Sequence, residues 1–124
     1  MTAVSSATNP SVVFFDTSVH VTDRGRSITV VFDHPVRQAL VTDEAIIVRL
    51  ESSPGVILNK NVFGLGRDGE RLWTIAHLPH VYDDSPYTNV SIHTDGTVWA
   101  SNWDGASCRI GTKSGAILEV ISGK

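Results

Sequence analysis

Residues Ser91–Val120 read SIHTDGTVWASNWDGASCRIGTKSGAILEV, and turn signals at Asp95-Gly96, Asp104-Gly105 and Ser114-Gly115 punctuate them at nearly even spacing. Each signal sets glycine at the close of a short loop, where the backbone turns left-handed and a Cβ would be strained. The segments between, NVSIH, TVWASN, SCRIG and AILEVI, favour β-branched and aromatic residues, which suit a pleated and half-buried surface. The stretch therefore predicts a four-stranded antiparallel meander. In its second strand Trp99 shares a face with Thr97 and Ser101, while Val98 and Ala100 take the other.

The same punctuation extends toward the N-terminus. SITVVFDH alternates Ile28, Val30 and Phe32 with Ser27, Thr29 and Val31, and AIIVRLE reads as the hairpin partner of VRQALV. NVFGL and ERLWTIA flank GRDG, a hairpin loop in which Gly69 supplies the positive φ. At DHPVRQAL a short helix, capped by Asp33 with Pro35 in its first turn, competes with a strand. HLPHVYDDSPY, with two prolines and paired aspartates, reads as the longest loop, and loops are where function concentrates. The predicted class is all-β: an antiparallel meander sheet, curled as a half-barrel or folded as a small β-sandwich built from hairpins, with at most one short helix. Residues 1–10 are expected as a flexible tail and 11–124 as a single domain.

A chain of 124 residues is long enough to bury a core without disulfides, and 41% hydrophobic with 19% charged residues is globular composition. No apolar run approaches the roughly 20 residues of a membrane span. MTAVSSATNPS has no basic start and no long apolar run, so it does not read as a secretory signal. Cys108 is the single cysteine, which favours a reducing compartment, and a cytoplasmic location is expected. A net charge of -3, with scattered basic residues, gives no electrostatic reason to approach nucleic acid.

NVFGLGRDGERLWTI and TVWASNWDGASCRIGTKSGAIL, within residues 59–121, resemble blade repeats of the propellers in quinoprotein dehydrogenases. That resemblance implies blade-like strands, but a closed propeller needs at least four blades of about 40 residues, more than this chain contains. No quinone-binding residue of that family is identified in the sequence.

Patterns that carry chemistry elsewhere have plainer readings in this chain. Gly64-Leu65-Gly66-Arg67-Asp68-Gly69 fits G-x-G-x-x-G, but ERLWTIA behind it has a strand pattern, so no helix N-terminus is expected to hold a pyrophosphate. His77 and His80 with Asp83 and Asp84 could converge on a divalent metal, yet a solvated loop accounts for the same residues, and no metal or cofactor is expected. His20, His34 and His93 have no motif partner for acid–base work. Cys108 has no nucleophile signature and reads as a small buried hydrophobe. The chain is therefore not expected to be an enzyme.

The aromatic residues carry more. Trp73 and Trp99 read as core or near-core residues, whereas Trp103 precedes Asp104-Gly105 in a tight turn where full burial is hard to arrange. With acidic neighbours it has the character of an interface anchor. The expected partner-binding surface comprises Tyr82, Asp83, Asp84, Asp95, Trp103 and Asp104. By type the chain resembles small bacterial immunity proteins, which implies a protein partner such as a basic toxin domain whose active site is covered. A small-ligand or carbohydrate-binding domain using Trp99 or Trp103, or a metal-dependent enzyme using the His77/His80 loop, are the alternatives. Exposed edge strands leave homo-oligomers open.

Overall fold

The computed structural model describes residues 9–78 and 84–122. Tyr82, Asp83, His80 and residues 1–8 of the expected tail lie outside the described residues. Eleven strands and no helix occur among those described. The N-terminal sheet holds β1 (Ser11–Phe15), β2 (Ser18–Asp23) and β3 (Arg26–Val31) in sequence order. The middle sheet is a meander of β4 (Val36–Val41), β5 (Ile46–Leu50), β6 (Val62–Leu65) and β7 (Arg71–Thr74). The C-terminal sheet is a second meander of β8 (Tyr87–Ile92), β9 (Val98–Asn102), β10 (Ser107–Ile110) and β11 (Ile117–Ile121). Every pairing is antiparallel. This is the hairpin-built all-β class the turn spacing predicts, with the strands shared among three sheets and none closed into a barrel.

The sheets stack as three layers, and β5 shows why. Its sequence IIVRL does not alternate, because both faces are covered. Ile46, Val48 and Leu50 pack with Val19, Val21 and Phe32 in the N-terminal layer. Ile47 joins Tyr87, Val90, Val98 and Cys108 in the C-terminal layer. Trp73 locks the second interface. Its ring lies against Gly64, where a Cβ would come within 2.1 Å, and against Gly115 of the next sheet, while Nε1 donates to the Thr112 carbonyl at 2.8 Å.

At DHPVRQAL the strand prevails over the helix. The Val36 N–H donates to the Asp16 carbonyl at 2.7 Å, and Gln38 to Val41 pair with β5. That bond ties the β1–β2 turn to the start of β4. GRDG closes the β6–β7 hairpin as expected, with Gly69 at φ +84°.

Strand direction sorts the connections to two ends of the stack. Five tight turns, after β2, β4, β6, β8 and β10, gather at one end, held by Arg67–Asp23 and Lys113–Glu44 ion pairs. The other end, the loop end, carries the β1–β2 turn, the β5–β6 loop, the segment before β8 and the β9–β10 turn.

Candidate functional site

The loop end gathers the exposed aromatic that the sequence singles out. Trp103 is 58% exposed, although the turn that carries it is firmly held. Asn102 is buried and its carboxamide donates to the Ser85 carbonyl at 2.9 Å, while its backbone N–H donates to the Ala106 carbonyl at 2.7 Å. The Trp103 N–H donates to the Pro86 carbonyl at 2.9 Å, and the Asp104 carboxylate accepts the Ala106 N–H at 3.0 Å. Gly105, at φ +98°, makes the reversal possible. Backbone order is thus settled before any partner arrives, so presenting the indole costs little further entropy.

Asp84 is exposed on the segment that enters β8, next to Ser85 and Pro86, and so stands at the same end as Trp103 and Asp104. Asp95 does not. It closes the β8–β9 turn at the opposite end of β9, because consecutive turns of a meander alternate ends. There its carboxylate accepts both the Thr97 hydroxyl at 2.6 Å and the Thr97 N–H at 3.0 Å. Those hydrogen bonds, the hydroxyl's first, hold its pKa below the ordinary carboxylate value. The Thr97 hydroxyl also accepts from Trp99 Nε1 at 2.9 Å, and the His93 ring stacks on Trp99 at 5.2 Å. Trp99 is therefore a half-buried, fully engaged side chain on the outer face of the C-terminal sheet.

Two exposed apolar residues that sequence reasoning passed over join Trp103 at the loop end. Phe15, at the close of β1, is 79% exposed, and Ile57, in the β5–β6 loop, is 59% exposed. Each of the three layers thus offers at least one large exposed apolar side chain at this end, and Val31 and Val56 add to Phe15 and Ile57. VVFF over residues 12–15 was the available signal: four apolar residues in one strand must direct some to each face. Between the middle and C-terminal layers, a depression of about 190 Å³ is lined by Arg49, Glu51, Asn61, Pro86, Tyr87 and Thr88. Arg49 donates to Gln38 at 2.6 Å, and burial draws its pKa down. The Tyr87 hydroxyl donates to the Ala76 carbonyl at 2.7 Å, and burial pushes its pKa up.

A larger groove, about 770 Å³, lies at the turn end beside Arg24, Arg26, Arg67, Asp23, Asp68 and Glu70. Its three arginines face three carboxylates, and Arg67 is held on Asp23 by two hydrogen bonds of 3.0 and 3.2 Å, so it offers no net charge to a ligand. The loop end is the better candidate, because its exposed groups are large and apolar and Trp103 stands on a hydrogen-bonded turn.

The remaining sequence candidates have local roles. Cys108 is buried, and burial raises its thiol pKa. His77 Nε2 lies 3.4 Å from the Ser85 hydroxyl, and no group of three metal-ligating side chains occurs among the described residues. His20 meets Thr29 on the outer face of the N-terminal sheet at 2.8 Å. The Nδ1 atom of His34 is buried and lacks a hydrogen-bond partner among the described residues.

No curated protein matches the chain. A family model does, over residues 13–121, from within β1 to the last residue of β11. Because that match takes in all three layers, the chain belongs to the family described as domain of unknown function (DUF7957).

Proposed function

We propose that this protein is a non-enzymatic protein-binding module whose loop end docks on a partner, in the manner of a small immunity protein that covers a toxin's active site. The observation that carries the reading is Trp103, a large aromatic held in solvent by a turn whose backbone is already hydrogen-bonded. Interfaces concentrate binding energy in such preorganised aromatic anchors. Phe15 and Ile57 extend the apolar contact across the layers, and Asp84 and Asp104 give the Trp103 side an acidic rim suited to a basic partner. In this reading the protein acts in the cytoplasm, and the blade-like meanders serve as scaffold.

Co-purification from the native host tests the proposal by comparing the wild type with Trp103→Ala. The variant keeps the wild-type unfolding midpoint, because the indole is largely outside the core, and loses on the order of 2 kcal/mol of affinity, roughly 30-fold. Added salt weakens binding through the acidic rim. Equal recovery of the partner by Trp103→Ala and Phe15→Ser would remove the loop end from the interface. Substrate turnover that disappears in His77→Ala would overturn the non-enzymatic reading altogether.

A further inference from the structure

The C-terminal sheet ends in an edge strand with few of the devices that normally protect one. β11 reads ILEVI, and no strand lies on its outer side among the described residues. Leu118, Val120 and Ile121 are each about half exposed. The strand has no proline and no lysine, and its sole charge, Glu119, is engaged by Arg109 of β10 at 3.2 Å. Its pairing with β10 shifts register between Arg109 and Ile110, which leaves Leu118 as an extra residue, but Glu119 to Ile121 run in register, and an apolar edge of this kind is a template for another strand.

The sequence of the strand indicates which one. ILEVI reads almost the same in both directions about Glu119. We propose that β11 pairs with β11 of a second copy, antiparallel about a two-fold axis at Glu119, fusing two four-stranded sheets into one of eight. In that register Leu118 meets Val120 of the other copy, and Ile117, on the far side of the irregularity at Leu118, comes to its Ile121, so the residues that flank the axis are apolar on both copies. On the axis the two Glu119 carboxylates meet, each flanked by its own Arg109, and the four charges sum to zero. An unrelated strand satisfies neither condition by construction. A five-residue strand pair falls short of the roughly 1,200 Å² at which stable complexes begin, so the dimer is weak and concentration-dependent. The proposal is independent of the loop-end reading, since it uses none of the same residues.

Sedimentation of the full chain over a concentration series is the first test. Wild type passes from monomer to dimer, and Val120→Lys shifts the transition at least ten-fold higher while Phe15→Ser leaves it in place. Glu119→Lys associates at least ten-fold more weakly, because it sets four positive charges at the axis in place of a neutral cluster. Register is read by crosslinking. Glu119→Cys stands directly opposite itself across the axis, where strand twist brings facing Cβ atoms into disulfide range, and forms a disulfide dimer under mild oxidation. Ile117→Cys and Ile121→Cys, each facing the other position, do not crosslink singly but do when mixed. Persistence as a monomer at millimolar concentration, a dimer abolished by Phe15→Ser and not by Val120→Lys, or crosslinking indifferent to position would each overturn the proposal. Both lysine and cysteine variants are on the surface edge, and unchanged far-ultraviolet dichroism confirms that they fold.

Discussion

Replacing Asn61 with alanine is the sharpest test of how the layers hold the loop end together. Asn61 is 1% exposed, at the point where the β5–β6 loop meets the start of β8. Its carboxamide donates to the Leu50 carbonyl at 2.8 Å and to the Tyr87 carbonyl at 2.9 Å, and accepts the Tyr87 N–H at 2.9 Å. Alanine removes all three bonds and strands those three backbone groups, two carbonyls and one N–H. Each stranded buried group costs about 1–3 kcal/mol. The adjoining depression of about 190 Å³ admits water to part of this site, which favours the lower part of that range. The expected loss is about 3–5 kcal/mol, a large share of the roughly 5–15 kcal/mol that keeps a domain folded. Urea unfolding followed by tryptophan fluorescence measures it, with the midpoint falling and the m-value unchanged. Asn61→Asp loses at least as much at neutral pH, since it sets a carboxylate against two carbonyl oxygens. A loss under about 1 kcal/mol in the alanine variant, with m unchanged, would refute the claim that this side chain joins the layers.

Other perturbations follow from the same geometry. Gly64→Ala places a Cβ against a Trp73 ring that Gly115 blocks from behind, so stability falls by about 1–3 kcal/mol in the same urea assay, and Trp73→Leu in that background recovers part of the loss. Arg24 adopts φ +53° just before Gly25 at +80° in a two-residue turn where asparagine is preferred, so Arg24→Asn raises stability by about 0.5–1 kcal/mol, seen as a higher thermal midpoint. The Arg67 guanidinium holds the Asp23 carboxyl below its ordinary 3.8, and Thr97 does the same for Asp95. A depressed folded pKa stabilises above the unfolded value and is lost as pH falls through the folded one. Acid unfolding below about pH 4 is therefore steeper in wild type than in Asp23→Asn or Asp95→Asn, and identical profiles would remove both interactions from the account.

The hairpins were written locally. Asp95-Gly96, Asp104-Gly105 and Ser114-Gly115 fall where the backbone reverses, with the three glycines at φ +86°, +98° and +74°. Strand composition between such turns fixed the all-β class, because turn chemistry and pleated periodicity act over a few residues. The exposure of Trp103 was also legible, since a tight turn leaves a large ring nowhere to go.

What the chain could not state alone was which faces and ends would meet. Asp95 and Trp103 are eight positions apart in sequence, yet β9 carries them to opposite ends, a consequence of pairing that local propensity does not encode. Asn61 sits in NKNVFG like a surface loop residue and is buried only because two layers converge on it. VVFF is apolar on both sides, but only the stacking order leaves Phe15 uncovered. Sequence determined the strands and their turns because those interactions are short-range. Layering, burial and the assembly of the loop end were decided by tertiary packing, because they depend on contacts between residues far apart along the chain.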